Sequence, residues 1–154
     1  MNEITYAELV NRLTTIANAH YNVGTSQAGV LESLNYGEIT YPLVFFVSDT
    51  VEFTVNETRY NMIMLVADIC DEQFLQQNTI QSAMLEITKN ILSYLINGNA
   101  DSDWIFDENS VRVQPFVDNL PDLTAGWQTN FTIRCPFNNT GCDLPIDTSQ
   151  ITFP

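Results

Sequence analysis

The chain has 154 residues, of which 45% are hydrophobic and only 16% are charged. This length fits one domain, and the apolar share is enough for a folded core, which excludes a largely disordered chain. Nineteen acidic residues against five basic ones give a net charge of −14. A surface this acidic repels phosphate backbones and anionic membranes, so we expect no specific binding to nucleic acid and none to a membrane.

The first predicted element is a helix. Thr5 and Glu8 have the spacing of a capping box, in which each side chain satisfies a backbone N–H at the helix start. Apolar residues then recur every three or four positions, which predicts a helix as far as about His20. Residues 21–36 are rich in Gly, Ser, Thr and Asn, which is typical of a loop, with room for a short helical turn near Val30.

Three strands are predicted next. Residues 41–47 are almost all β-branched or aromatic, which indicates a strand covered on both faces, by a helix on one side. Residues 51–55 alternate between apolar and polar, residues 56–58 suit a turn, and residues 60–68 form a longer strand. Short connections between consecutive strands favour antiparallel hairpins.

A second helix is predicted over residues 80–96, where Ile87 lies in an apolar stripe and Gly98 is placed to end the helix. Residues 99–110 are predicted to be an acidic loop, although Trp104, Ile105 and Phe106 lie inside it. Residues 111–116 and 126–134 form two more predicted strands.

This order of elements predicts an α+β fold. We expect a single antiparallel sheet with two main helices packed on one face, in the order helix, hairpin, helix, hairpin. Residues 1–135 form the predicted domain, and residues 136–154, which contain three prolines and no periodic pattern, form an extended C-terminal arm.

The sequence predicts no enzyme and no bound cofactor or metal. The single histidine, His20, is interpreted as a helix-end residue, because the cysteine spacings give no zinc site to which it could contribute. The acids Asp101, Asp103, Asp107 and Glu108 invite a calcium interpretation. The pattern fails because Ile105 and Phe106 occupy the places of an oxygen ligand and a glycine.

The cysteines are expected to be reduced. The first residues carry no signal peptide, and the longest apolar run, residues 43–47, is too short to span a bilayer, so we expect a cytosolic origin. Cys70, Cys135 and Cys142 are then most simply thiols. A disulfide between Cys135 and Cys142 in a secreted module is the alternative.

The remaining candidates for function are apolar residues in polar surroundings. Single apolar residues on a polar arm are a common way for a subunit to dock into a neighbour. The candidate interface residues are Trp104, Ile105, Phe106, Phe137, Ile146, Ile151 and Phe153.

The chain resembles the tail-terminator and neck proteins of bacteriophages. The similarity lies in an N-terminal amphipathic helix, an aromatic strand that opens with Tyr41 and Pro42, a long second helix, and residues 123–127 (Leu-Thr-Ala-Gly-Trp) before the last strand. It covers the chain up to Arg134 and departs at the arm and at the loop over residues 21–36.

The resemblance implies a homo-oligomeric ring, typically of six subunits, at the head–tail junction of the virion. Its partners would be further copies of itself and neighbouring neck, portal-adaptor or tail-tube proteins, and DNA would pass through its lumen. Such a protein would be assembled in the cytoplasm of the host bacterium. The alternative hypothesis is a small acidic module that binds a basic protein partner.

Overall fold

The computed structural model describes residues 3–30, 38–70, 76–97, 103–118, 123–137 and 144–154. Their helices and strands, in chain order, are α1 (Tyr6–Asn18), β1 (Thr25–Ala28), β2 (Leu43–Phe53), β3 (Glu57–Ile69), α2 (Gln77–Asn97), β4 (Ile105–Asp118) and β5 (Thr124–Pro136), followed by a 3-10 turn (Thr148–Gln150). The α+β prediction is confirmed. No helix in these ranges is long and apolar enough to cross a membrane.

Helix α1 begins at the predicted capping box. The Thr5 backbone N–H donates to Glu8 Oε2 over 2.7 Å, and the Glu8 N–H donates to Thr5 Oγ1 over 3.2 Å. The hydrogen bond from the Thr5 N–H, joined by that from its hydroxyl, lowers the pKa of Glu8. The helix ends at Asn18, with Ala19 as its C-cap and His20 directly after it.

The sheet is mixed, which corrects the prediction of an all-antiparallel sheet. Its strand order is β1-β2-β3-β5-β4, in which β1 runs parallel to β2 and the other neighbours are antiparallel. Strand β1 lies in the segment that was predicted to be a loop. Its four residues, Thr-Ser-Gln-Ala, are mostly polar and half-buried, so they carry no alternation that would indicate a strand.

The first hairpin is longer than predicted. Strand β2 runs unbroken to Phe53, with a register shift between Ser48 and Thr50. The polar residues at this bulge interrupt the apolar pattern without ending the strand, which is why the sequence indicated two separate strands. The turn lies at residues 54–56, and Glu57 and Thr58 belong to β3 instead of the turn.

The predicted loop before the second hairpin is wrong from Ile105 onward, because β4 begins there. A bulge between Asp107 and Arg112 hides the strand pattern. Within it, the Ser110 hydroxyl accepts the Thr132 backbone N–H over 2.8 Å and donates to the Asp107 carbonyl over 2.6 Å. This side chain therefore replaces a missing strand-to-strand hydrogen bond. Residues 99–102 and the predicted helix-ending Gly98 lie outside the described residues.

Both helices pack on one face of the sheet, as predicted, and share one hydrophobic core with it. The Trp127 indole N–H on β5 donates to the Gln81 carbonyl of α2 over 2.7 Å, which anchors that helix to the sheet. Beside it, a Cβ at Gly126 would lie 1.9 Å from the Val66 carbonyl oxygen. Only glycine allows β3 and β5 to approach this closely.

The opposite face of the sheet has no helix among the described elements. Near β1 it carries a small apolar cluster, in which Ile39 and Tyr41 pack against the buried Leu43 and Phe45. Strand β2 is therefore covered on both faces there, as its unbroken apolar run predicted. Further along, the face is polar and linked by side-chain hydrogen bonds. Thr132 donates to Asn61 over 2.6 Å, and Asn61 donates to Thr50 over 2.7 Å.

Candidate functional site

The acidic residues predicted to cluster around Trp104 have different hydrogen-bonding partners in the structure. Asp103 forms an ion pair with Arg12 of α1 over 3.4 Å, and Asp107 accepts the Asn109 backbone N–H over 3.1 Å inside the β4 bulge. Across the described ranges, no three His, Cys, Asp or Glu side chains converge as metal ligands would. Asp101 lies outside those ranges. Asp103 and Asp107 therefore have structural partners.

His20 is held by hydrogen bonds at both ring nitrogens. Nδ1 accepts the Asn22 backbone N–H over 3.0 Å, so the ring proton is assigned to Nε2. Nε2 lies 3.1 Å from the side-chain amide nitrogen of Asn90, and because amide ends are interchangeable, the oxygen is assigned to face the ring. His20 therefore links the end of α1 to α2, which extends its predicted role as a helix-end residue.

Two of the three cysteines are described, and both are buried thiols. Cys135 lies on β5 opposite Thr58, and Cys70 follows β3, where its N–H donates to the Leu123 carbonyl over 2.8 Å. Burial of Tyr60 beside Cys135 raises the pKa of that tyrosine, mainly through desolvation. Cys142, the partner in the disulfide alternative, lies outside the described residues.

All five cationic side chains are engaged by oxygen atoms of the chain. Arg12 pairs with Asp103, Lys89 pairs with Glu86, and Glu57 holds both Arg59 and Arg134 over 3.2 and 3.1 Å. Arg112 donates to the Val111 carbonyl over 2.7 Å. Four of the five cations therefore have a carboxylate partner, and the excess of acidic groups in the whole chain determines the field around the protein.

The C-terminal arm is the most exposed part of the described chain. Every residue from 144 to 154 is exposed, and the large apolar side chains Leu144, Ile146, Ile151 and Phe153 keep between 48% and 86% of their surface accessible. The arm is ordered locally: Asp147 accepts hydrogen bonds from the Ser149 hydroxyl and N–H, which lower the pKa of its carboxyl group. The exposure makes these apolar side chains available for contact with another surface, and an interface role for them stays a prediction.

The body of the protein continues slightly past the predicted start of the arm. Pro136 is paired with Glu57 at the end of β5, and the Phe137 N–H donates to the Asn56 carbonyl over 2.9 Å. The Phe137 ring lies 5.3 Å from that of Phe53. Phe137 is therefore attached to the first hairpin, whereas Ile146, Ile151 and Phe153 extend from the body. The division of the chain at residue 135 stays a prediction.

The other predicted interface residues differ from one another in exposure. Trp104 and Phe106 pack against the core, and the Phe106 ring lies 5.5 Å from that of Phe131. Ile105 is exposed at the start of β4, which is an edge strand. An interface role for these three residues stays a prediction, and Ile105 is the one whose side chain is available for it.

An apolar patch that the sequence analysis did not predict lies at the tip of the first hairpin. Val51, Phe53 and Val55 are all exposed there, the last two by 66% and 71%. By the strand register, Val51 and Phe53 lie on the same face of the sheet as Tyr60, which stacks on Tyr6 at the start of α1. The alternation of residues 51–55 is the pattern of a half-buried strand, whereas the structure leaves its apolar side chains exposed.

A groove between the end of α1 and the middle of α2 was also missed. Its volume is about 540 Å³. Ile16 and Ile91 are its more buried lining residues, whereas Tyr21 and Tyr94 are exposed beside it. The helical spacing predicts that Tyr94 belongs to the apolar stripe of α2, but the structure leaves its side chain exposed beside the groove.

Both edges of the sheet offer backbone groups for further pairing. Strand β4 has 14 residues and pairs only with β5 within the described part of the chain. At the opposite edge, β1 covers only residues 43–46 of β2, so among the described strands residues 47–53 are paired on one side only. Open edges of this kind accept a strand from another chain.

No protein-family model matches the chain, and no curated protein sequence matches it.

Proposed function

We propose that this protein is a structural subunit of a bacteriophage virion, which assembles into a homo-oligomeric ring at the head–tail junction as a tail terminator or neck protein. The observation that carries the proposal is the C-terminal arm, whose apolar side chains are exposed in the isolated chain. A partner that covered these side chains would remove apolar surface from water, which is the main driving force for association.

The surface chemistry supports assembly around DNA in particular. A net charge of −14, with every cation engaged by oxygen atoms of the chain, gives a wall that repels a phosphate backbone. DNA could then pass through a lumen without adhering to it. The sequence resembles phage neck proteins. An acidic subunit with an exposed arm meets the physical requirements of a ring that contacts its neighbours and lets DNA pass.

The architecture also supports a closed ring. Ring symmetry requires a heterologous contact, in which one patch of a subunit meets a different patch of its neighbour. The chain offers several such patches on different elements, including the arm, the hairpin tip, the β4 edge and the groove between the helices. A symmetric dimer would need only one self-complementary patch.

Electron microscopy and light scattering test this function. The purified full-length chain, alone and mixed with phage tail tubes, is expected to form annular particles or to cap the tubes and limit their length. A chain that stays monomeric at high concentration and leaves the tubes unchanged would contradict the proposal. That result, with binding to a basic protein, would favour the alternative of an acidic regulatory module.

The genes beside the coding sequence give an independent test. Portal and tail-tube genes on either side are expected, because neck proteins are made together with the structures that they join. A neighbourhood of metabolic or secretion genes would count against the head–tail junction.

A further inference from the structure

The groove between α1 and α2 differs from the rest of this acidic surface because it carries no formal charge. None of its eight lining residues is an Asp, Glu, Lys or Arg, and its only titratable groups are His20, Tyr21 and Tyr94. Its apolar lining, from Ile16, Ala19 and Ile91, is open at the surface. The lining itself therefore adds no charge repulsion against an acidic segment.

The C-terminal arm has the complementary composition. Residues 144–154 contain one acidic side chain, Asp147, and no basic one, and they expose Ile151 and Phe153 close to the end of the chain. A groove of about 540 Å³ is within the range of clefts that bind small ligands, so it can accept an aromatic side chain such as Phe153.

The arm is also long enough to reach another subunit. Seventeen residues follow Phe137 in the sequence. At about 3.3 Å per residue they can span at most about 56 Å, whereas a domain of this size has a radius of gyration of about 14 Å. The arm leaves the body beside the first hairpin, and the groove lies at the other end of α1. The two surfaces are thus distinct patches, as a heterologous contact requires.

We propose that the groove lined by Ile16, Ala19, His20, Asn90, Ile91 and Tyr94 is the docking site for the C-terminal arm of a second copy of this chain. Ile151 and Phe153 enter it, and the side-chain amide of Asn90 at its side orients the arm backbone. This inference deepens the proposed ring function and rests on it, because it names the contact that joins one subunit to the next.

A peptide titration tests the docking site directly. The probe is a fluorescent peptide with the sequence of residues 144–154, and the receptor is the full-length chain carrying Ile151→Ser and Phe153→Ser, which disable its own arm. We expect saturable binding, which is measured as an increase in the fluorescence anisotropy of the peptide. The same two serine substitutions in the peptide should abolish it, because they remove the groups that enter the groove.

Two matched receptor variants locate the site. Ala19→Glu places a bulky carboxylate in the uncharged groove and should weaken peptide binding by about tenfold or more. Asn18→Glu adds the same charge one residue earlier, at an exposed position outside the groove, and should change it by less than about twofold. Absence of saturable binding, or equal effects of the two variants, would overturn the inference.

Mixing variants distinguishes exchange between copies from an arm that folds onto its own groove. A chain with the serine arm keeps its groove, and an Ala19→Glu chain keeps its arm. Their mixture should therefore form one-to-one pairs in sedimentation velocity, although neither variant associates alone. Peptide binding without such pairs would show an intramolecular contact and overturn the role of the second copy.

The same measurements separate this inference from the ring proposal. Annular particles that persist in the Ala19→Glu chain would overturn the docking site and leave the ring proposal standing. Val55→Ser at the hairpin tip tests a competing docking surface. If this variant failed to pair while the Ala19→Glu variant paired normally, the arm would dock at the hairpin tip and the groove would have no role in pairing. A full-length chain that neither associates nor binds tail tubes would instead contradict the ring itself.

Discussion

The helix-covered face of the sheet and the C-terminal arm use the same apolar residue types and bury them to opposite extents. On β5, Phe131 and Ile133 are at most 2% exposed, whereas Phe153 and Ile151 in the arm are 86% and 48% exposed. The face is closed by α1 and α2, which share its core. No described element of the chain covers the arm in the same way.

This difference separates two uses of hydrophobic burial in one chain. On the sheet, burial stabilises the fold of the subunit. In the arm, the proposed function assigns burial to the assembly, because the side chains are covered only when another surface meets them. Substitutions on the sheet should therefore change the free energy of unfolding, and substitutions in the arm should change association.

The largest expected effect is at Ile87, in the buried face of α2. Ile87→Asp puts an unpaired carboxylate into the core and should lower the free energy of unfolding by about 4 kcal/mol or more. Ala83→Asp, on the exposed side of the same helix, should cost under about 1 kcal/mol. Urea unfolding of both variants measures this, and similar values would show that the helix face is assigned wrongly.

A smaller loss is expected at Gly126, where β3 and β5 come closest. Gly126→Ala forces the strands apart, because its Cβ would meet the Val66 carbonyl, and should cost about 2 kcal/mol. Gln128→Ala, two residues along β5 on the same face as Gly126, serves as the comparison and should cost less than about 1 kcal/mol. Equal thermal stability of Gly126→Ala and the parent chain would contradict the close approach.

The hydrogen bond that anchors α2 should contribute less. Trp127→Phe keeps an aromatic ring on β5 and removes the donor to the Gln81 carbonyl, at a cost of about 1 kcal/mol. Hydrogen exchange should also become faster in the first turns of α2 than in its last turns. Uniform exchange along the helix would show that this bond does not hold its N-terminal part.

The smallest effect depends on pH and lies at the start of α1. The folded protein lowers the pKa of Glu8 from its ordinary value of 4.5, so its carboxylate stabilises the fold above that pH. The contribution is lost as the pH falls from 4.5 through the lowered pKa. Glu8→Gln should thus be less stable than the parent at pH 7, and the difference should shrink at pH 3. An equal difference at both pH values would contradict the capping role.

The parts of the fold that the sequence predicted have strong local signals. The capping box, the apolar stripe of α2 and the unbroken apolar run of β2 each depend on neighbouring residues, so they are visible in one sequence. The helical spacing also puts Ala83 beside the stripe of α2, but the structure leaves it exposed, because the width of the buried stripe is set by the sheet that covers it.

The parts that were missed depend on distant residues. Strand β1 forms because β2 offers an edge, and the bulge of β4 depends on a hydrogen bond between Ser110 and Thr132, 22 residues apart. The groove exists only because α1 ends beside Asn90 of α2. Residues 123–127 carry the resemblance to phage neck proteins. Within this segment the fold itself needs Gly126 for the close approach of β3 and β5, and Trp127 for the hydrogen bond to α2.

The direct test of the central claim compares the full-length chain with a chain that ends at Phe137. Light scattering after size-exclusion chromatography gives the mass of each at equal concentration, and urea unfolding gives its stability. We predict that the full-length chain forms multimers and that the shortened chain is a monomer whose free energy of unfolding is unchanged within about 1 kcal/mol. Unfolding of the shortened chain, or assembly as complete as that of the full-length chain, would contradict the role of the arm.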